Sequence, residues 1–343
     1  MLYELFRISH SRNSNCIIIF RFSNHQTEGG FTMKKRLETL VKLGIFATIA
    51  MYFANKFVES SALLRKLLKN NSGKYYHWSQ GAVYYTKQGS GAPLLLIHDL
   101  HPTSSSAEWN EVIEELAKTN TVYTIDLPGC GRSVKPYITY INYFFVQLLH
   151  DFITDIIQEQ TQVMATGISG SFTVMAAHMY PDLFGKLIFV NPVSPEKLST
   201  VPTPTLKFAK SVMDCPILGT FLYYIFSSEN EIEYNFTETY FYNPFLVSSK
   251  TLHTYYEAAH WEQGGGRHLL ASLHSNYINT NISIPFAGLT QEMHLICGSE
   301  TPNAGAIISA YQKLNPDIRV STIAKTKMLP QLEAPARFLL ECM

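Results

Sequence analysis

Beyond residue 73 the chain alternates short, continuously apolar runs with longer amphipathic ones, the rhythm of buried strands separated by helices. Residues 74–78 and 82–86 flank Ser79, Gln80 and Gly81 and predict a hairpin. Residues 93–97, 121–125, 162–166, 186–190, 293–297 and 319–323 predict further strands. Between them, residues 107–118, 143–158, 171–179, 304–314 and 335–342 predict helices; in the second, Phe145, Leu148, Leu149, Phe152, Ile156 and Ile157 recur at helical spacing. This alternation implies an α/β fold, a mostly parallel sheet with helices on both faces. The rhythm stops after Asn191 and Pro192. From there to about residue 268 prolines and aromatics crowd a stretch without strand pattern, which predicts a helical cap over the C-terminal ends of the strands, where such sheets place their sites. The chain therefore divides into a first core part (74–192), a cap (193–268) and a second core part (269–343).

Ahead of the core, residues 43–54 read LGIFATIAMYFA between Lys42 and Lys56. That is shorter than the roughly 20 residues that span a bilayer. Leu40, Val41, Phe57 and Val58 lengthen it, and the lysines can snorkel. No small-x-small cleavage site follows Ala54, so residues 33–69 are expected to be an uncleaved membrane-anchor helix and linker rather than a secretory signal. Similar positive charge on both sides leaves the orientation open. Residues 1–32 have no steady period and end in Glu28, Gly29 and Gly30 shortly before Met33. Codons for that tripeptide can spell a bacterial ribosome-binding sequence. The expectation is a leader upstream of a true start at Met33, the alternative a disordered tail.

Composition narrows the function. Lys and Arg number 27 and so do Asp and Glu, so there is no electrostatic footprint for nucleic acid. Five scattered cysteines without CxxC spacing give neither a zinc site nor a disulfide framework, and no motif calls for a cofactor. Residues 215–226 and Tyr240, Phe241, Tyr242 and Phe245 fit an apolar ligand pocket or the packing of cap on core. Together with the N-terminal helix they point to a small apolar or acyl ligand, and to the membrane, as partners.

The candidate chemistry lies in Gly167, Ile168, Ser169, Gly170 and Ser171, between a predicted strand and a predicted helix. A serine among small residues at such a turn is the pattern of a nucleophile elbow. Other segments fall in order around it. Residues 94–100, LLLIHDL, give an apolar strand followed by His98; residues 104–109, SSSAEW, begin a helix; residues 126–133, DLPGCGRS, form a D-x-x-G-x-G-x-S turn; residues 329–335 read LPQLEAP. Taken together, these segments resemble the α/β-hydrolase family, in its branch of capped esterases, epoxide hydrolases and proline iminopeptidases.

The resemblance implies Ser169 as nucleophile, with the Gly170 and Leu100 N–H groups as oxyanion donors. It also implies an acid at Thr301, where Glu300 stands one residue away, and a histidine at Met328. Neither position carries the required group, and Asp99 replaces the glycine that follows His98. Among the histidines, His98 and His101 are expected to hold loop hydrogen bonds, Asp126 to anchor its turn, and His260 to belong to the cap. His178 is expected to point away from the pocket and His294 to pack within its strand. The leading expectation is a serine-type hydrolase of a small apolar ester or amide with weak or lost activity. The alternative is a non-catalytic, membrane-anchored protein that binds a ligand or partner.

Overall fold

Leu94, Leu95, Leu96 and Ile97 show why the sheet forms where it does. Successive strand residues point to opposite faces, so Leu94 and Leu96 pack with Trp109, Ile113 and Phe338, while Leu95 and Ile97 pack with Phe145, Leu149 and Phe172. A strand apolar on both sides belongs inside a sheet covered on both faces. In the computed structural model, which describes residues 30–69 and 73–342, that sheet has eight strands. They are β1 (Lys74–Trp78), β2 (Gly81–Gly89), β3 (Ala92–Ile97), β4 (Asn120–Ile125), β5 (Thr161–Thr166), β6 (Phe184–Val190), β7 (Met293–Gly298) and β8 (Arg319–Ile323). Their order is β1-β2-β4-β3-β5-β6-β7-β8. The β1–β2 and β2–β4 pairs are antiparallel and all others parallel, so the α/β class follows as the sequence implies.

Two predicted helices differ in detail. Residues 107–118 form a 3₁₀ turn, Ser106–Trp109, and a single α-turn, Ile113–Leu116. The first turn is held from outside: Ser105 caps Ala107 N–H, and Asp126 accepts Ser106 N–H at 2.8 Å. Glu108 and Trp109 are both buried there. The helix Asn142–Phe152 ends in a π-turn, Ile153–Ile157, closed by Gln158 at φ 64°.

Between β6 and β7 the chain is helical. The helices Pro204–Asp214, Leu218–Phe226 and Ser249–His260 stand above the strand ends, and Arg267–His274 returns to the core. Glu333, just before the last helix, accepts the N–H groups of Tyr242 and Asn243, both at 2.8 Å, and of Lys327 at 3.1 Å. One carboxylate thus ties the cap to the core.

The N-terminal helix, Gly30–Ala62, has two parts. Residues 35–50 are exposed all round. Ala54, Asn55, Val58, Glu59 and Ala62 recur at helical spacing and are covered by the cap, with Asn55 donating to the Ile217 carbonyl at 3.1 Å. The chain beyond it is docked as well, since Leu68 N–H donates to the buried Glu257 at 2.9 Å. The anchor expected to stand apart on a linker therefore packs its last turns on the cap. Lys35 to Ala62 is long and apolar enough to cross a membrane by length and composition. Of the expected leader, residues 1–29 lie outside the described residues, and residues 30–32 begin the helix Gly30–Ala62.

Candidate functional site

The turn after β5 reverses within one residue, and that residue is Gly167 at φ 59°. The left-handed region suits glycine, because a Cβ there meets the backbone. Ile168 follows, and the helix Ser169–Met179 has begun by the next residue. In a nucleophile elbow the residue at the strained turn carries the reactive side chain, and the next N–H contributes to the oxyanion hole. The geometry therefore moves the elbow two positions from the sequence reading: its apex is Gly167, which has no side chain.

Ser169 is displaced accordingly. Already inside the helix, its side chain turns beneath the β3 loop, is fully buried and donates to the His98 carbonyl at 2.7 Å. Gly170 N–H is also corrected: it bonds the Gly167 carbonyl at 3.3 Å within the helical turn. Leu100 N–H does converge on the elbow, and its partner there is Ile168 N–H. Both donate to one oxygen, Asp99 Oδ1, at 2.9 Å each. A Cβ on Gly167 would lie 2.2 Å from that same oxygen. The Asp99 carboxylate thus fills the space of a nucleophile side chain and occupies the donors an oxyanion would use.

Asp99 does not act alone. Its N–H donates at 3.2 Å to Glu108, which is buried and accepts Gln331 Nε2 at 3.0 Å and a bond from the Thr166 hydroxyl. Burial raises Asp99 to about 6 against the pull of the two N–H groups and of Lys197. Burial, and then the charge of Asp99, push Glu108 up to about 8. Around neutral pH the pair therefore carries close to one negative charge, with the proton on Glu108. The void above them measures only about 10 Å³ and is lined by Thr166, Tyr240, Tyr255 and Met328 among others. Such a volume holds at most about one water.

Met328 stands over this void and joins Leu329, Phe236, Phe241 and Tyr255 in an apolar cluster that seals cap to core. Thr301 is not in the void. Its hydroxyl donates to Asn191 Oδ1 at 3.0 Å, while Asn191 Nδ2 donates to the Lys327 and Met328 carbonyls at 2.9 and 3.0 Å. Asn191, at φ 42°, therefore ties the two loops that would present acid and base together through its side-chain amide.

Four of the histidines weighed as candidates are held by local hydrogen bonds. His98 bonds the Asp99 carbonyl and accepts Leu127 N–H, and His101 bonds Thr103. His260 bonds the Tyr256 carbonyl and stacks on Tyr224. His294 bonds Ser321 across β7 and β8. Burial lowers all four to about 4, so they are neutral. Asp126 anchors its turn: burial opposes its charge, yet Arg132, at 2.7 Å, overcomes this and holds it at about 2. The sequence reading gave Gly167 only a small-residue place in the motif, and it missed Glu108, Asn191 and Gln331 as parts of this site. Gly167 was the one with a signal, a glycine directly after the strand run.

A model of the alpha/beta hydrolase family matches residues 94–338, and the chain belongs to that family. An uncharacterized protein of Mycobacterium tuberculosis is 31% identical over 103 residues, 30% of each chain. A 2-hydroxy-6-oxo-6-(2'-aminophenyl)hexa-2,4-dienoic acid hydrolase of Metapseudomonas resinovorans is 27% identical over 108 residues, 31% of this chain and 37% of that protein. The chain thus matches these curated relatives over 30–37% of their own length. Among solved structures, epoxide hydrolase CorEH aligns with TM-score 0.64 and 19% identity over 79% of this chain and 96% of that one. Carboxylesterase CesB of Bacillus subtilis aligns with TM-score 0.60 and 14% identity over 85% of this chain and 98% of that one. At such identities the likeness is one of fold.

Proposed function

We propose that this protein is a non-catalytic member of the family, a hydrolase fold that holds its cap at a membrane surface. One observation carries the reading. Asp99 Oδ1 accepts both N–H groups of the oxyanion position, beside an elbow whose apex is glycine. Serine-type hydrolysis needs an activated hydroxyl and a vacant, preorganised pair of donors. Here the donors already face a carboxylate, and an acyl oxyanion would add a second negative charge. The base position is Met328, which accepts no proton at working pH. Ser169, whose hydroxyl is committed to the His98 carbonyl, has no route to a substrate in a 10 Å³ void. The reading of a weak hydrolase acting on a small apolar ester or amide therefore gives way to its alternative. The anchor half of the proposal rests on residues 35–50, exposed all round in an apolar helix.

The test is a fluorophosphonate probe together with p-nitrophenyl acetate hydrolysis, on wild type and Ser169→Ala. Wild type should label no more than the variant, and the two should hydrolyse the ester at the same background rate. Labelling or turnover that disappears in Ser169→Ala would overturn the proposal.

A further inference from the structure

Residues 327–333 grip the cap along the segment 238–243. Lys327 Nζ donates to the Glu238 carbonyl at 2.6 Å, and Leu329 N–H to the Tyr240 carbonyl at 3.4 Å. Glu333 accepts the N–H groups of Tyr242 and Asn243. The helical turn Pro330–Glu333 also reaches inward, since Gln331 Nε2 donates to Glu108 Oε1 at 3.0 Å. One short stretch of chain thus holds the cap on one side and a fully buried carboxyl on the other.

Ionising Glu108 in place puts a second negative charge beside Asp99, whose N–H it accepts at 3.2 Å. The other groups around the pair are the Thr166 hydroxyl, Lys197, which acts on Asp99, and, from the cap, Tyr240 and Tyr255, whose phenols burial keeps neutral. The void among them holds at most about one water, too little to hydrate two carboxylates. Lifting the segment 238–243 takes Tyr240 off the void and lets solvent reach the pair. We infer that residues 327–333 form a proton-operated clasp: Glu108 protonated keeps the cap down over the elbow, and Glu108 ionised releases it. With the cap down the proton stays on Glu108 up to about pH 8, whereas a hydrated carboxyl releases it near the ordinary 4.5. Between these values opening sheds one proton. The open fraction therefore rises with pH, by at most about tenfold per unit, and levels off above 8. Asp99 titrates at about 6, and His98 and His101 between about 4 and their ordinary 6.5. From about 6.5 to 8 the response belongs to Glu108.

The experiment is hydrogen–deuterium exchange of the full chain, read by mass spectrometry from about pH 6.5 to 9, each rate corrected for the chemical rate at its pH. Protection of the peptide covering residues 238–244 should fall about fivefold from pH 7 to pH 8 and little further by pH 9. Peptides from β3 should stay better protected throughout, which marks the opening as one of the cap and not of the whole fold. In Glu108→Gln, which has no proton to lose, protection of the cap peptide should not follow pH. Cap protection that ignores pH in wild type, that merges with that of β3, or that keeps its fall in Glu108→Gln overturns the inference. Should Glu108→Gln fail to fold, Asp99→Asn decides. It keeps an acceptor for the Leu100 and Ile168 N–H groups but removes the charge that raises Glu108, so the fall should level off at lower pH. An unchanged levelling-off there overturns the clasp as well.

Discussion

At the scale of single residues, Gly167 and Asp99 form a coupled pair. Gly167→Ala places a Cβ against the Asp99 carboxylate and forces alanine into the left-handed region. We expect a loss of about 2–5 kcal/mol in urea unfolding. Asp99→Gly leaves two N–H groups unmet and is also destabilising. The double variant should lose less than the two singles combined, by at least about 0.5 kcal/mol, because the collision is gone. Ser169→Ala should cost about 1–3 kcal/mol, since the buried His98 carbonyl loses its donor. Glu108 gives a pH signature. Its folded value near 8 lies above the ordinary carboxylate value of 4.5, so the native state holds a proton that the unfolded chain has released. Stability should therefore fall as pH rises towards 8, by at most about 1.4 kcal/mol per pH unit. The clearest window is about 6.5 to 8, above the range where the buried neutral histidines act in the opposite direction. Urea titrations across that window should show a shallower slope in Glu108→Gln.

At the scale of elements, the strands were legible because each is an apolar run bounded by turn residues. β3, β7 and β8 fall within a residue or so of expectation. Cap and core were separable because the alternation stops at Pro192 and resumes at Met293. The elbow was read two residues late. Ser169 with its small neighbours matches the motif, and only the backbone shows that the turn is spent at Gly167 before the serine is reached. Glu108 could not be found from sequence, because its partners Asp99, Thr166 and Gln331 come from distant segments. The same holds for Glu333, whose three N–H partners join cap and core. Glu333→Ala should loosen that joint. Limited proteolysis should cut around the exposed Phe245 many times faster than in wild type, while the sheet keeps its far-ultraviolet circular dichroism.

At the scale of the whole molecule, the N-terminal helix and the cap behave as one unit. Residues 54–62 of the helix share the cap's surface, and Glu257 of the cap receives the chain that follows. Replacing Ile45, Phe46 and Ile49 with Gln alters only exposed positions. The proposal of an anchor therefore predicts that this triple variant moves from the membrane fraction to the soluble one with its thermal transition unchanged. A variant that stays in the membrane pellet after carbonate washing would count against it. Under the proposed anchoring, the docking of helix on cap would fix the angle at which the core meets the lipid surface.

The carboxylate of Asp99 has a further consequence, for the paths open to this sequence over time. A serine arising at position 167 would collide with Asp99, and loss of Asp99 first would strand two buried donors. On the proposed non-catalytic reading, each single step back towards chemistry passes through a less stable protein, with Met328 and Thr301 still at the base and acid positions. On that reading the carboxylate acts as a latch on the lineage, with no gradual way to recover a working nucleophile.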